Sequence, residues 1–75
     1  MTKTEAINEF NSLYIEVFDE NNNVKACGRD LCKKLINIAN LIDDTRSHGD
    51  LKDGFMDVNS IIDLHKSIKN NSVII

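Results

Sequence analysis

The sequence predicts an all-α fold, a small three-helix bundle with helices over about residues 3–19, 24–45 and 50–69. Three observations carry that reading. Apolar residues recur at i, i+3, i+4 and i+7 in three separate stretches. A residue suited to capping stands before each: Thr2, then Asn22 or Asn23, then Asp50. The middle stretch carries an apolar arc covering more than half its circumference, which reads as the central helix of a bundle.

For the first helix, Thr2-Lys-Thr-Glu5 fits a capping box, in which the Thr2 hydroxyl and the Glu5 carboxylate each satisfy a backbone amide of the other. Ala6, Ile7, Phe10, Leu13, Tyr14, Val17 and Phe18 then share one arc, with Glu5, Asn8, Glu9 and Ser12 outside it. Ile15 falls on the polar side, which makes it a candidate partner contact. A strand–turn–strand reading of residues 14–27 competes, because β-branched and aromatic residues flank a polar turn at 19–23. The helix is preferred, since its pattern runs unbroken from Ala6 to Phe18.

The second helix is the centre of the expected bundle. Cys27, Leu31, Leu35, Ile38, Ala39 and Ile42 form its stripe, widened by Cys32, Ile36 and Leu41. An apolar arc that broad is more than one neighbouring helix can cover. Gly28 costs roughly 1 kcal/mol relative to Ala in a helix interior, so it marks either a delayed start near Arg29 or a close crossing. Gly49 ends the segment as a natural residue after a helix C-terminus.

The third helix reads from Asp50, with Leu51, Phe55, Val58, Ile61, Ile62, His65 and Ile68 on its stripe and Met56 and Leu64 off it. Gly54 weakens its first turn, so a separate short turn before a main helix from Phe55 is the variant reading. Val73, Ile74 and Ile75 close an apolar tail over 70–75. Residues 1–75 read as one domain. A domain this small buries only roughly 60–65% of the surface its unfolded chain exposes, and oligomerisation is a common remedy.

Charge and composition narrow the function classes. The net charge is −3, divided as −4 over residues 1–20, +2 over 21–48 and −1 over 49–75. An acidic first helix and a mildly basic second one suit packing against each other. Frequent Asn, Ile and Lys with little Ala is the bias of an AT-rich genome, as in many bacteria and phages. No apolar run approaches the roughly 18 residues of a membrane span. Two cysteines without a secretory pattern point to a reducing cytoplasm.

Candidate chemistry is sparse. Cys27, Cys32, His48 and His65 have zinc-ligand identities but not zinc-ligand spacing: Cys-x4-Cys on a helix sets the thiols about 140° apart, and the histidines lack a short His-x3–5-His separation. Residues 19–30 imitate the ligand order of a calcium loop, yet the glycine position holds Val24 and the bidentate position Asp30. A polar interhelix turn explains the same letters. No serine or cysteine has an identifiable base beside it, so the chain is expected not to be an enzyme, and no cofactor or metal is expected. Lys25, Arg29 and Lys33, at i, i+4 and i+8, form a possible phosphate-contact stripe. Nucleic acid is the weaker expectation, because Asp53, Asp57 and Asp63 on the third helix would repel a phosphate backbone.

An interaction surface remains. Ile15, Met56, Leu64, Val73, Ile74 and Ile75 leave more apolar surface than a chain of this size easily hides. The expected function is a small cytoplasmic protein–protein interaction module, an inhibitor or regulator of a larger protein of the phage or bacterial accessory type. The alternatives are a nucleic-acid-associated regulator using the basic stripe, or a structural homo-oligomer.

Overall fold

The computed structural model describes residues 2–25 and 28–70. Its elements in chain order are α1 (Lys3–Val17), α2 (Arg29–Ile42), β1 (Gly49–Asp50), β2 (Phe55–Met56) and α3 (Val58–Lys69). The fold is mostly helical, but a small antiparallel hairpin between α2 and α3 makes it something other than a pure three-helix bundle. Among the described residues no helix is long and apolar enough to cross a membrane. Cys27 and the expected tail contacts Val73, Ile74 and Ile75 lie outside the described residues.

The start of α1 is fixed by the capping box read from the sequence. The Glu5 amide donates to Thr2 Oγ1 at 3.1 Å, and the Thr2 amide donates to Glu5 Oε1 at 3.1 Å. Those bonds hold the Glu5 carboxyl below its usual range. Ala6, Ile7, Phe10, Tyr14 and Val17 are buried along one face, as the spacing requires. The helix stops at Val17, two residues short of expectation. Phe18 turns extended and forms a single antiparallel bridge with Val24. The cause is the turn between them: Asp19 Oδ1 accepts from the amides of Asn21 (2.8 Å) and Asn23 (2.9 Å), while Asn22 takes a left-handed φ of 63°. A side chain that satisfies the amides of a turn competes with helix continuation. Among the described residues, the competing hairpin over 14–27 is present as that bridge, with the Lys25 amide donating to the Val17 carbonyl at 2.7 Å.

For the same reason α2 begins at Arg29 and not near Val24. Gly28 is its N-cap, in extended conformation and with no side chain to accept a bond. The far end comes at Ile42, because the Asp43 carboxylate turns onto the amide and hydroxyl of Thr45. Leu35, Ile36, Ile38, Ala39 and Ile42 are buried, but Leu41, expected to widen the apolar arc, is 60% exposed.

The hairpin replaces the expected start of the third helix. Gly49 pairs with Met56 and Asp50 with Phe55. The Gly54 amide donates to the Asp50 carbonyl at 2.8 Å, and Asp50 Oδ1 accepts from the Lys52 amide at 2.9 Å. Two glycines make this path possible. A Cβ on Gly49, whose φ is 141°, would lie 2.5 Å from the Phe55 carbonyl oxygen. A Cβ on Gly54, whose φ is 75°, would lie 2.3 Å from Arg29 Cγ.

The true cap of α3 is Asp57, whose Oδ1 accepts from the Ser60 amide at 3.2 Å. Starting at Val58, the helix buries Ser60, Ile61 and Leu64. Leu64 was expected off the buried face as a partner contact. It is 4% exposed and belongs to the core, because the buried face of the shorter helix centres on Ile61 and Leu64. Met56 is half-buried against that core. Leu51 and Phe55, expected on the buried stripe, are instead exposed on the hairpin. The interface of α1 with α2 is the most extensive in the fold, and Phe10, Val17, Leu35 and Ile61 are sealed from solvent.

Candidate docking surface

The segment that displays the hairpin is anchored by a buried polar cluster. His48 and Ser60 are both fully enclosed. His48 Nε2 lies 2.8 Å from the Asp43 carbonyl oxygen, which can only accept, so Nε2 carries the proton. His48 Nδ1 lies 2.6 Å from the Ser60 hydroxyl, which also reaches the Ser47 carbonyl oxygen at 3.3 Å. The Asp57 amide also donates to the His48 carbonyl at 3.0 Å. These bonds tie the C-terminus of α2, the first hairpin strand and the first turn of α3 together. A serine beside a histidine has the identities of a nucleophile and its base, and here both are fully enclosed. The sequence considered His48 only as a metal ligand, and both of its ring nitrogens are instead engaged within the fold.

On that anchored segment Phe55 stands 67% exposed, with Leu51 at 42% and Val58 at 36%. Asp50, Asp53 and Asp57, with Lys52 between them, are exposed residues of the same segment. Asp50 and Phe55 are direct partners across the two strands, so they leave the sheet on the same side. Gly49 and Met56 take the other side, against Ile36 and the core.

A second apolar feature lies where α1 and α3 end. His65 stacks on Tyr14 with centroids 3.7 Å apart and planes 2° from parallel. Tyr14 stacks on Phe18 at 4.3 Å, and its hydroxyl donates to Asn22 Oδ1 at 2.6 Å. Burial raises the Tyr14 pKa. Burial, then the Lys69 charge, lowers that of His65. Beside this stack runs a groove of about 680 Å³, walled by Ile15, Phe18, Lys25, Lys66 and Lys69. Ile15 is 67% exposed there, in the position its off-stripe placement required.

At 100° per residue, Val58, Ile62, His65 and Lys69 fall on one side of α3. On that row Ile62 packs against the core and His65 stacks on Tyr14. The expected basic stripe does not form as a helix row. Lys25 precedes α2, and its Nζ donates to the Ile15 carbonyl at 2.8 Å. The Arg29 stem packs beside Gly54, and Lys33 is half-buried. Sequence reasoning placed Phe55 in the core and so missed it. The available signal was Asp53-Gly54, a turn pair directly before an aromatic residue. No protein family, curated protein or solved structure matches the chain.

Proposed function

We propose that this chain is a small protein-binding module that docks on a larger protein through the Phe55 face and acts as its inhibitor or regulator. The observation that carries this reading is Phe55 itself, a large aromatic side chain held in solvent on a hairpin. Fully burying such a side chain stabilises by roughly 1.5–3 kcal/mol, and this fold forgoes that contribution. Two glycines and the His48 anchor hold the hairpin in one conformation. An aromatic anchor on a rigid support loses little conformational freedom when it binds, and anchors of this kind dominate interface energetics. Leu51 and Val58 add apolar area on the same segment, and its aspartates add charge.

The nucleic-acid alternative receives less support. Its three basic residues do not form one row, and the segment that carries Phe55 holds more acids than bases. The test is affinity capture from nuclease-treated cell lysate, run in parallel with the wild-type chain and Phe55→Ala. A protein retained by the wild type at near-stoichiometric amounts and lost by the variant supports docking through Phe55. Equal retention by both removes Phe55 from the function.

A further inference from the structure

We propose that Cys27 and Cys32 form a reversible disulfide across the first turn of α2, which makes the start of that helix a redox-sensitive clasp. On one continuous helix the two thiols would stand about 140° apart. That separation does not apply, because α2 begins at Arg29 and only Cys32 lies on it.

Three observations carry the inference. First, Gly28 is the N-cap, so Cys27 is the residue before the cap and Cys32 the fourth residue of the helix. Side chains at those two positions pack on each other in the hydrophobic staple that often opens a helix. Second, the distance fits. Cys27 lies outside the described residues, but one planar peptide joins it to Gly28, whose φ is −75° and ψ 162°. With standard bond lengths and a regular helix, those angles set the Cα before Gly28 about 6.5 Å from that of Cys32. Disulfides span Cα separations of roughly 4.4–6.8 Å. The Cys32 amide donates to the Gly28 carbonyl at 3.2 Å, which holds the fourth residue over the cap. Its Cα–Cβ bond tilts toward the helix N-terminus, as in any helical residue.

Third, Gly28 offers no side-chain acceptor, whereas Thr2 and Asp57 restrain the first turns of α1 and α3. A crosslink supplies the missing restraint. The ring it closes contains Arg29, whose stem and carbonyl oxygen lie beside Gly54 of the hairpin. Oxidation thus fixes the turn of α2 on which the hairpin rests.

The oxidant is a small-molecule disulfide, oxidised glutathione being the simplest. One protein thiolate attacks its S–S bond, giving a mixed disulfide and one glutathione thiol. The second protein thiolate attacks the protein sulfur of that intermediate, closing the Cys27–Cys32 bond and releasing the second glutathione. The two protons lost by the cysteines end on the two glutathione thiols.

The experiment equilibrates the full chain at a series of ratios of oxidised to reduced glutathione, quenches in acid, alkylates the thiols and weighs the intact protein. The internal disulfide is about 2 Da lighter than the dithiol and takes up no alkyl group. The same titration in concentrated urea gives the value for the unfolded chain. Closure is expected to have an equilibrium constant at least about tenfold larger in the folded chain. By linkage, oxidation then raises the urea midpoint of unfolding. In Cys27→Ser the loss of about 2 Da should vanish, leaving the mixed disulfide as end product. A constant no larger in the folded chain, a mixed disulfide as the wild-type end product, or a crosslink between two chains overturns the proposal.

Discussion

His48 Nδ1 lies 2.6 Å from the Ser60 hydroxyl, twelve positions further along the chain, and both residues are sealed from solvent. Removing one partner of such a bond leaves the other buried and unsatisfied, at roughly 1–3 kcal/mol. Ser60→Ala is therefore expected to lower stability by that amount. His48→Ala is expected to cost more, because it also opens a cavity. Urea denaturation checks this: the midpoint should fall with little change in slope. An unchanged midpoint for Ser60→Ala would mean that the bond does not anchor the hairpin.

The hairpin glycines are expected to differ in their tolerance of alanine. At Gly49 the added Cβ meets a backbone oxygen, which cannot move without breaking the strand pair. At Gly54 it meets the flexible stem of Arg29, leaving mainly the cost of a left-handed backbone, roughly 1–2 kcal/mol. Gly49→Ala should thus be the more destabilising of the two in thermal melts, and the reverse order would contradict the backbone path described for β1.

Gly28 offers the opposite outcome. It caps α2 without a side-chain acceptor, its φ of −75° suits any residue, and a Cβ there meets nothing within 4 Å. Gly28→Ser or Gly28→Asp is expected to stabilise by a few tenths of a kcal/mol, the usual margin of those caps over glycine. The gain should appear as a raised melting temperature with an unchanged far-ultraviolet spectrum.

Acid should weaken the contact between α1 and α3. Burial and Lys69 hold His65 below its usual pKa of 6.5, so the folded chain binds that proton less readily than the unfolded one. The stability it contributes is therefore present above about pH 6.5 and lost as the pH falls through the depressed folded value. Melting temperatures followed from about pH 8 to pH 5 should fall more steeply for the wild type than for His65→Gln. Parallel curves would show that the stacked ring titrates as it does in the unfolded chain.

What the sequence made legible was set by interactions within one turn of helix. The capping box at Thr2 and Glu5, the buried arc from Ala6 to Val17 and the stripe from Leu35 to Ile42 follow from spacing alone. The hairpin did not, because Leu51, Phe55 and Val58 continue the period of Ile61 and Ile62, and only the Gly49 and Gly54 backbone conformations break it. Asp50 and Asp57 are both good caps, and choosing between them requires knowing that His48 is bonded to Ser60. Leu64 was misplaced by the same error, since a helix begun at the wrong cap has its buried face centred wrongly. Ile15 was legible as exposed; the ring stack of Tyr14 on His65, joining two helices, was not.

The anchoring of the hairpin has a consequence for how this chain can change. Its supports are main-chain atoms and residues at its base: the carbonyls of Asp43, His48 and Asp50, the ring of His48 and two glycines. None of them requires a particular side chain at Leu51, Lys52 or Asp53. The tip can therefore be rewritten while the frame beneath it stays folded, so new binding specificities can be reached by substitution at three adjacent codons. A library randomised at those positions alone should remain largely folded, which makes the segment a display loop as much as a contact surface.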